Sequence, residues 1–138
     1  MTTAYDNGSL ITSAVTVVGT GNTPLDGVLA LNPRDFFYDA PLEAVTDTSI
    51  ANFNSSISPI ASTDYMEFVG WNGIGTIPDD ALANLTRLVD GAHSLGIKAR
   101  FWDTPEWPIY AMKAIWKELQ LAGSDWLNAD DLETASSF

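Results

Sequence analysis

Two cations and a tryptophan alternate along one short stretch of the chain, at Lys98, Arg100 and Trp102. The apolar residues Ala99 and Phe101 occupy the positions between them. Residues 97–102 are therefore predicted to form a β-strand with one apolar face and one cationic face, because successive strand side chains point to opposite faces. Arg100 and Trp102 would lie near the carboxyl end of this strand, where parallel α/β proteins place their chemistry.

The cationic face of this strand has two interpretations. A strand inside a doubly covered sheet is usually apolar on both faces. If Ala99 and Phe101 pack against helices, Lys98 and Arg100 face a polar interior such as the mouth of a barrel. The other interpretation is an edge strand whose polar face lies in solvent, and periodicity alone does not choose between the two.

Other polar residues have simpler structural interpretations. His93 is the single histidine, and it falls near the end of the clearest predicted helix, where a positive side chain suits the helix dipole. Asp130 and Asp131 could ligate a cation, but acids at the start of a helix usually stabilise its N-terminus, and we predict that role. The sequence contains no nucleophile-elbow serine and no phosphate-binding P-loop.

Part of a dinucleotide-binding fingerprint is present near the N-terminus. Gly19 and Gly21 follow a predicted strand, and Asp39 ends the next strand at about the fingerprint distance. The third glycine position is occupied by Pro24, whose ring would obstruct the close helix–strand contact that glycine permits. We therefore interpret the segment as a loop and predict no nicotinamide or flavin binding.

The composition excludes several classes of function. The chain has 138 residues, 46% of them apolar, which is enough for one domain with a core. Eighteen acids against six bases give a net charge of −12, which argues against binding nucleic acid or an anionic membrane. Cysteine is absent, so disulfides and thiolate metal sites are excluded. The N-terminal residues resemble neither a signal peptide nor a membrane span.

The apolar pattern predicts strands that alternate with helices. Strands are predicted at residues 14–19, 35–40, 64–71, 97–102 and 125–128. Helices are predicted at residues 24–31, 78–95, 108–122 and from 130 onward, with a weak helix and a loop in the Ser-, Thr- and Asn-rich stretch 43–63. This alternation predicts an α/β fold with a parallel sheet, ordered over about residues 14–136.

Two architectures fit this alternation. A doubly wound open sheet can close its core within this length. A (β/α)8 barrel typically needs about 250 residues, so the chain would supply about five of the eight units.

Several stretches together carry a family resemblance. Residues 98–108 read Lys-Ala-Arg-Phe-Trp-Asp-Thr-Pro-Glu-Trp-Pro, and residues 127–132 read Leu-Asn-Ala-Asp-Asp-Leu. With residues 17–22 and 36–42, in the same order, they resemble the late part of the fungal altered-inheritance-of-mitochondria proteins. That family lies within the phospholipase C-like phosphodiesterase superfamily. The resemblance implies a partial (β/α)8 (TIM) barrel, roughly strands four to eight with their helices, and a phosphoric diester hydrolase of lipid metabolism that resembles glycerophosphodiester phosphodiesterases.

The catalytic half that the resemblance implies is missing from this sequence. It should carry an early His-Asn-Asp motif, a Glu-x-Asp metal-binding strand and a second histidine, and none of these is present. Phosphodiester cleavage of this kind needs a base, an acid and usually a cation. We therefore predict no catalytic residue, no metal ligand and no cofactor in this chain, with a divalent cation (Mg²⁺ or Ca²⁺) in a full-length relative.

The resemblance leaves four residues of this chain as predicted substrate-binding residues. By placement, Arg100 could neutralise a phosphate oxygen and Trp102 could pack on a substrate group. Asp39 and Asn128, at predicted strand ends, could order the site. The implied ligand of a full-length relative is a phosphodiester small molecule or a lipid headgroup.

Three hypotheses for function follow. The leading one is the C-terminal portion of a phosphodiesterase barrel that is inactive alone. The second is a non-catalytic partner or dimerisation module, because a half barrel has two open sheet edges that can recruit another chain. The third is an unrelated open-sheet α/β enzyme.

Overall fold

A computed structural model describes residues 2–138 of the chain. Its first element is an antiparallel hairpin of β1 (Ala4–Asp6) and β2 (Ser9–Ile11), which the apolar pattern did not predict. Asn7 and Gly8 form the turn with φ values of 47° and 85°. Two successive positive φ angles are typical of the tight hairpin turn that an Asn-Gly pair favours, so the sequence did contain the signal.

The centre of the fold is a four-stranded parallel sheet. Its strands are β3 (Val17–Gly19), β4 (Phe36–Pro41), β5 (Ile60–Asp64) and β6 (Lys98–Trp102). They lie side by side in the order β3-β4-β5-β6, which is also their order along the chain. The predicted α/β class and parallel sheet are confirmed.

The predicted third strand was misplaced. The sequence predicted a strand at residues 64–71, whereas β5 ends at Asp64. The short helix α2 (Tyr65–Phe68) follows β5 directly. An earlier short helix, α1 (Leu25–Leu29), connects β3 and β4. The Asp64 side chain accepts a hydrogen bond of 3.0 Å from the backbone N–H of Glu67 and so caps this helix. The polar residues Ser62 and Thr63 made the true strand look like a loop.

The predicted fifth strand, residues 125–128, is reduced to a single bridge. Trp126 pairs with Arg100 in the parallel sense along the outer side of β6. The carbonyl of Ala99 accepts from the backbone N–H groups of Asp125 and Trp126 at 3.1 and 3.3 Å. The segment therefore pairs with β6 at one bridge and does not form a fifth strand.

The longer helices form close to their predicted positions. They are α3 (Asp79–Ser94) and α4 (Ile109–Leu121), followed by the short α5 (Leu132–Ser136), and a 3-10 turn occupies Leu42–Ala44. Asp79 and Asp80 lie in the first turn of α3, where carboxylates interact favourably with the helix dipole. Gly96, with φ of 68°, follows its end in a conformation that favours glycine. No helix within residues 2–138 is long and apolar enough to cross a membrane.

The core lies on one face of the sheet. Ala99 and Phe101 of β6 and Ala61 of β5 are fully buried and belong to one cluster with the apolar sides of α3 and α4, among them Leu85, Leu88, Val89, Ala92, Ile115 and Leu119. The Phe101 ring meets the Tyr65 ring edge to face, with centroids 6.4 Å apart. The predicted apolar face of residues 97–102 is therefore confirmed as the helix-covered face.

The opposite side of the sheet is open at β6. Lys98 and Trp102 are exposed and Arg100 is half-buried. We refer to this side as the open face, defined by Asp39, Ser62, Lys98, Arg100 and Trp102.

Candidate functional site

Arg100 lies at the centre of the open face. Its Nη2 donates a hydrogen bond of 2.5 Å to Oδ1 of Asn128, and its Nη1 donates a long one of 3.5 Å to Oγ of Ser62. Ser62 is also the register partner of Arg100 in the neighbouring strand β5. The guanidinium is therefore held in place by two neutral side chains, one on each side of β6.

The charge of Arg100 is not neutralised by an ion pair. The single ion pair within residues 2–138 joins His93 to Asp125, so no carboxylate oxygen of that part of the chain lies within 4.0 Å of the guanidinium. A guanidinium held by neutral acceptors keeps its positive charge for an anion, and its planar fork suits phosphate oxygens. Arg100 is therefore the strongest candidate anion-binding group in the structure.

Asp39 approaches the same place from β4. Its Oδ1 is buried without a hydrogen-bond partner among residues 2–138. Burial raises the pKa of Asp39, while hydrogen bonding from Ser62 and the charge of Arg100 oppose that shift. The structure thus places two of the other predicted substrate-binding residues, Asp39 and Asn128, around the Arg100 guanidinium.

Trp102, the fourth predicted residue, borders the open end of the site. Its side chain is 42% exposed and lines a cavity of about 820 Å³ together with Arg100 and Asn128. A second cavity of about 530 Å³ lies between Trp102 and Asp39, and a third of about 660 Å³ lies along the open face near Lys98. Arg100 borders all three cavities, and each of the other three predicted residues borders at least one of them.

His93 lies in the last turn of α3, as the sequence predicted, and there it contacts Asp125. Its Nε2 lies 2.9 Å from Oδ2 of Asp125, and the same oxygen accepts a hydrogen bond of 2.8 Å from the backbone N–H of Ala99. Burial alone would raise the pKa of Asp125, but the hydrogen bonds from His93 and Ala99 outweigh it and lower that pKa. The contacts of Asp125 with His93 and Ala99 hold the segment that leads to Asn128 against β6. The sequence did not predict a role for Asp125.

Asp131 caps the start of α5, as predicted. Its Oδ1 accepts a hydrogen bond of 3.0 Å from the backbone N–H of Thr134 at the start of α5, and its Oδ2 accepts one of 2.5 Å from the Thr134 hydroxyl. Asp130 has different surroundings, because it lies beside Glu106. A hydrogen bond with Asp130 and the charges of Asp130 and Asp131 raise the pKa of Glu106, which the sequence analysis had not singled out.

The glycines of the partial fingerprint have structural explanations. A Cβ atom on Gly19 would lie 2.6 Å from the Phe36 ring, so this glycine permits close packing of β3 on β4. The helix that follows, α1, has only five residues. Within residues 2–138, no group of three or more His, Asp or Glu side chains is arranged to hold a metal ion.

Comparison with known proteins shows what this chain is similar to. It is 38% identical over 141 residues to the altered inheritance of mitochondria protein 6 homolog of Arthroderma benhamiae, covering 100% of this chain and 43% of that protein. It is 29% identical to altered inheritance of mitochondria protein 6 of Candida glabrata and 31% identical to that of Eremothecium gossypii, covering 96% of this chain and 36% of each relative. This chain is a homologue of these fungal proteins.

The homology confirms the predicted similarity to these fungal proteins, and the matched region includes residues beyond the stretches that carried the resemblance. The chain spans less than half the length of these relatives. No protein-family model matches the sequence, and no solved structure matches it.

Proposed function

We propose that this chain is the C-terminal portion of a phospholipase C-like phosphodiesterase barrel, and that it supplies phosphate-binding residues without hydrolysing phosphodiesters alone. The observation that carries the proposal is the Arg100 guanidinium, which Asn128 and Ser62 hold without an ion pair to any of residues 2–138, and which borders a cavity at the carboxyl ends of β5 and β6. Active sites of parallel α/β proteins lie at this end of the sheet.

The strand order supports a barrel over a doubly wound sheet. Strands of a doubly wound sheet reverse their order at a switch point. The strands β3 to β6 instead follow one another in sequence order, and Trp126 extends the same order by one bridge. The open face would then be the lumen side, and the remaining strands would come from the part of the relatives that this chain does not match.

The proposed role of this chain is to bind phosphate, not to cleave the phosphodiester. Cleavage of a phosphodiester needs a base, an acid and usually a cation. Several carboxyl side chains besides Asp39 line the cavities beside Arg100, but the single histidine is bonded to Asp125, and no group of three or more acids among residues 2–138 is arranged to hold a metal. We derive no catalytic step from these residues, and a divalent cation would require ligands from outside this chain.

The binding claim is tested by titrating the chain with inorganic phosphate and glycerol 3-phosphate. NMR would follow the Nε–Hε resonance of Arg100. We expect Arg100→Gln to weaken binding about 10- to 100-fold, because a charge-assisted hydrogen bond contributes about 1.5–3 kcal/mol. Arg87→Gln is the matched control, since Arg87 lies exposed on α3 and bonds Oδ1 of Asn84. Equal phosphate affinity in both variants would refute the assignment of Arg100.

The inactivity claim needs a separate assay. Purified chain is incubated with bis(p-nitrophenyl) phosphate and with glycerophosphodiesters, each with added Mg²⁺ or Ca²⁺. We expect no turnover above buffer. Turnover that copurifies with the chain and is lost in Arg100→Gln would show that the isolated chain is an enzyme.

The second candidate function is association with another chain, which the uncovered sheet favours. Both outer strands already have partial partners: Asp125 and Trp126 bond Ala99 beside β6, and Thr3 donates to the carbonyl of Val15 ahead of β3. A partner would therefore cover the open face rather than extend an edge. Sedimentation velocity at several concentrations tests this proposal, and a strictly monomeric chain that unfolds cooperatively would contradict it.

A further inference from the structure

The outer edge of the hairpin strand β2 is exposed and partly apolar. This strand pairs with β1 on one side and with no other strand of residues 2–138. All three of its residues are exposed, with Leu10 at 47% and Ile11 at 56%. An exposed strand edge presents unpaired N–H and C=O groups to which another strand can bond. We refer to this side of Ser9–Ile11 as the free edge.

The pairing of β1 shows which way the backbone of Leu10 points. Tyr5 is the register partner of Leu10. The N–H of Tyr5 donates to the carbonyl of Arg34 at 2.7 Å, and the carbonyl of Tyr5 accepts from the N–H of Arg34 at 2.9 Å. Both backbone groups of Tyr5 therefore point away from β2, so Tyr5 and Leu10 form a non-hydrogen-bonded pair. The N–H and C=O of Leu10 then point outward from the free edge.

Side-chain contacts hold the hairpin in place on both of its strands. Arg34 is only 6% exposed, and its guanidinium carbon lies 4.9 Å from the centroid of the Tyr5 ring. Just beyond β2, the backbone N–H of Ser13 donates to Oγ1 of Thr3 at 3.0 Å. The free edge is therefore preorganised, and pairing with it requires little rearrangement.

The charge distribution indicates a second copy of this chain as the occupant. Two copies with a net charge of −12 each repel one another over most of their surface. Residues 7–25 contain no charged side chain, and this is the longest such run in the sequence. The free edge lies inside this run, whereas Asp6 lies on β1, one strand further in. Two copies therefore meet least repulsion at the free edge.

The geometry of the free edge is also complementary to itself. An antiparallel edge can pair with its own copy across a twofold axis. With the axis at Leu10, the N–H of each Leu10 donates to the carbonyl of the other, and the two leucine side chains lie next to each other. The result is a four-stranded sheet, which is more stable than a hairpin of two strands.

We propose that β2 is a dimerisation strand, with two copies of this chain paired antiparallel about Leu10. The proposal is independent of phosphate binding at Arg100, and it uses residues separate from the open face. Three residues on each side bury less than the about 1,200 Å² of a stable interface. The dimer is therefore weak and forms at high protein concentration.

Hydrogen exchange of backbone amides, followed by NMR on the full chain, tests the pairing directly. A contact of this size corresponds to a Kd of about 0.1–1 mM. Raising the protein concentration from about 20 μM to about 1 mM should then slow exchange of the Leu10 N–H about 2- to 4-fold. The Tyr5 N–H is bonded to Arg34 in each copy and should keep its rate. A Leu10 rate that does not depend on concentration would reject the pairing.

Leu10→Lys is the variant that disrupts the contact. It removes the apolar pair and places two ammonium groups opposite each other, so the Kd from sedimentation velocity should rise at least about 10-fold. Protection of the Tyr5 N–H in this variant would show that the hairpin still forms.

Leu121→Lys is the matched control. Leu121 is 70% exposed in α4, and the substitution changes the net charge by the same amount. Its Kd should equal that of the unmodified chain. An equal rise in both variants would attribute the effect to the added charge and reject the dimerisation strand.

Lys98→Glu separates this contact from association through the open face, where Lys98 is exposed. All variants are compared in about 0.5 M salt, which screens the net charge. If Lys98→Glu abolishes self-association and Leu10→Lys does not, the open face is the contact and pairing through β2 is wrong. If the unmodified chain is monomeric at about 1 mM, both modes of association fail. Neither result affects the assignment of Arg100 to phosphate binding.

Discussion

The two faces of the parallel sheet differ although they are built from the same strands. On the covered face, Ala61, Ala99 and Phe101 are fully buried against helices. On the open face, Ser62 and Arg100 alternate with them and make polar contacts. Folding and the proposed binding therefore depend on alternate residues of the same strands, so a residue on one face can be changed with limited effect on the other.

The open face also has a cost in stability that the covered face does not. Asp39 is held where burial disfavours its charged form, and its Oδ1 has no hydrogen-bond partner among residues 2–138. Such groups reduce stability and are typical of sites shaped by function. The comparison of the two faces therefore predicts opposite responses to mutation.

The largest expected effect is on the covered face. Phe101→Ala removes a fully buried ring and should lower the free energy of unfolding by about 3–5 kcal/mol. Trp102→Ala, at the next residue but on the open face, should lower it by only about 1 kcal/mol because the indole is 42% exposed. Urea denaturation followed by circular dichroism measures both.

A loss of about 3–5 kcal/mol is a large part of the free energy of unfolding of a small domain, so Phe101→Ala is paired with a milder variant. Phe101→Leu, expected to cost about 1 kcal/mol, then gives a folded comparison. If Trp102→Ala costs as much as Phe101→Ala, the open face is part of the core and the contrast between the faces is wrong.

A smaller loss of stability is expected at the edge of the sheet, where the polar side chain of Asp125 supports the fold. Asp125→Ala leaves the buried N–H of Ala99 without its acceptor and should cost about 1–3 kcal/mol. His93→Ala removes only the partly exposed ion pair and should cost less than about 1 kcal/mol. Comparable losses in the two variants would show that the ion pair, not the backbone contact, is the important one.

The contribution of Asp125 depends on pH in a defined direction. Because folding lowers its pKa, its stabilisation is present above the ordinary carboxyl pKa of about 4 and is lost as pH falls through the lowered value. The difference between the unmodified chain and Asp125→Ala should therefore shrink in acid.

The smallest expected effect is a gain on the open face. Folding raises the pKa of Asp39, so the chain is most stable with this carboxyl protonated and loses that stability as pH rises through the raised value. Asp39→Asn should stabilise the chain at pH 7 by less than about 1 kcal/mol, after allowance for solvent screening, and should change little at pH 3. Denaturation at the two pH values tests this, and destabilisation at pH 7 would show that attraction to Arg100 exceeds the cost of burial.

Several features were predictable because they depend on local pattern. The alternation of Ala99, Arg100 and Phe101 predicted the two faces of β6 correctly. The apolar period of α3, with Pro78 before it and Gly96 after it, located that helix within one residue at each end. Where polar residues filled a true strand, as at Ser62 and Thr63, the local pattern failed because neighbouring strands supply the hydrogen bonds that hold it.

The α/β class, the two faces of β6 and the capping role of Asp131 follow from local sequence, since each depends on residues within a few positions of one another. The contact of Arg100 with Asn128, 28 residues away, and the contacts of Asp125 with His93 and Ala99 depend on the folded arrangement of distant segments. The same holds for the position of Glu106 beside Asp130. Such contacts depend on how strands and loops converge at the carboxyl end of the sheet, which no local spacing specifies.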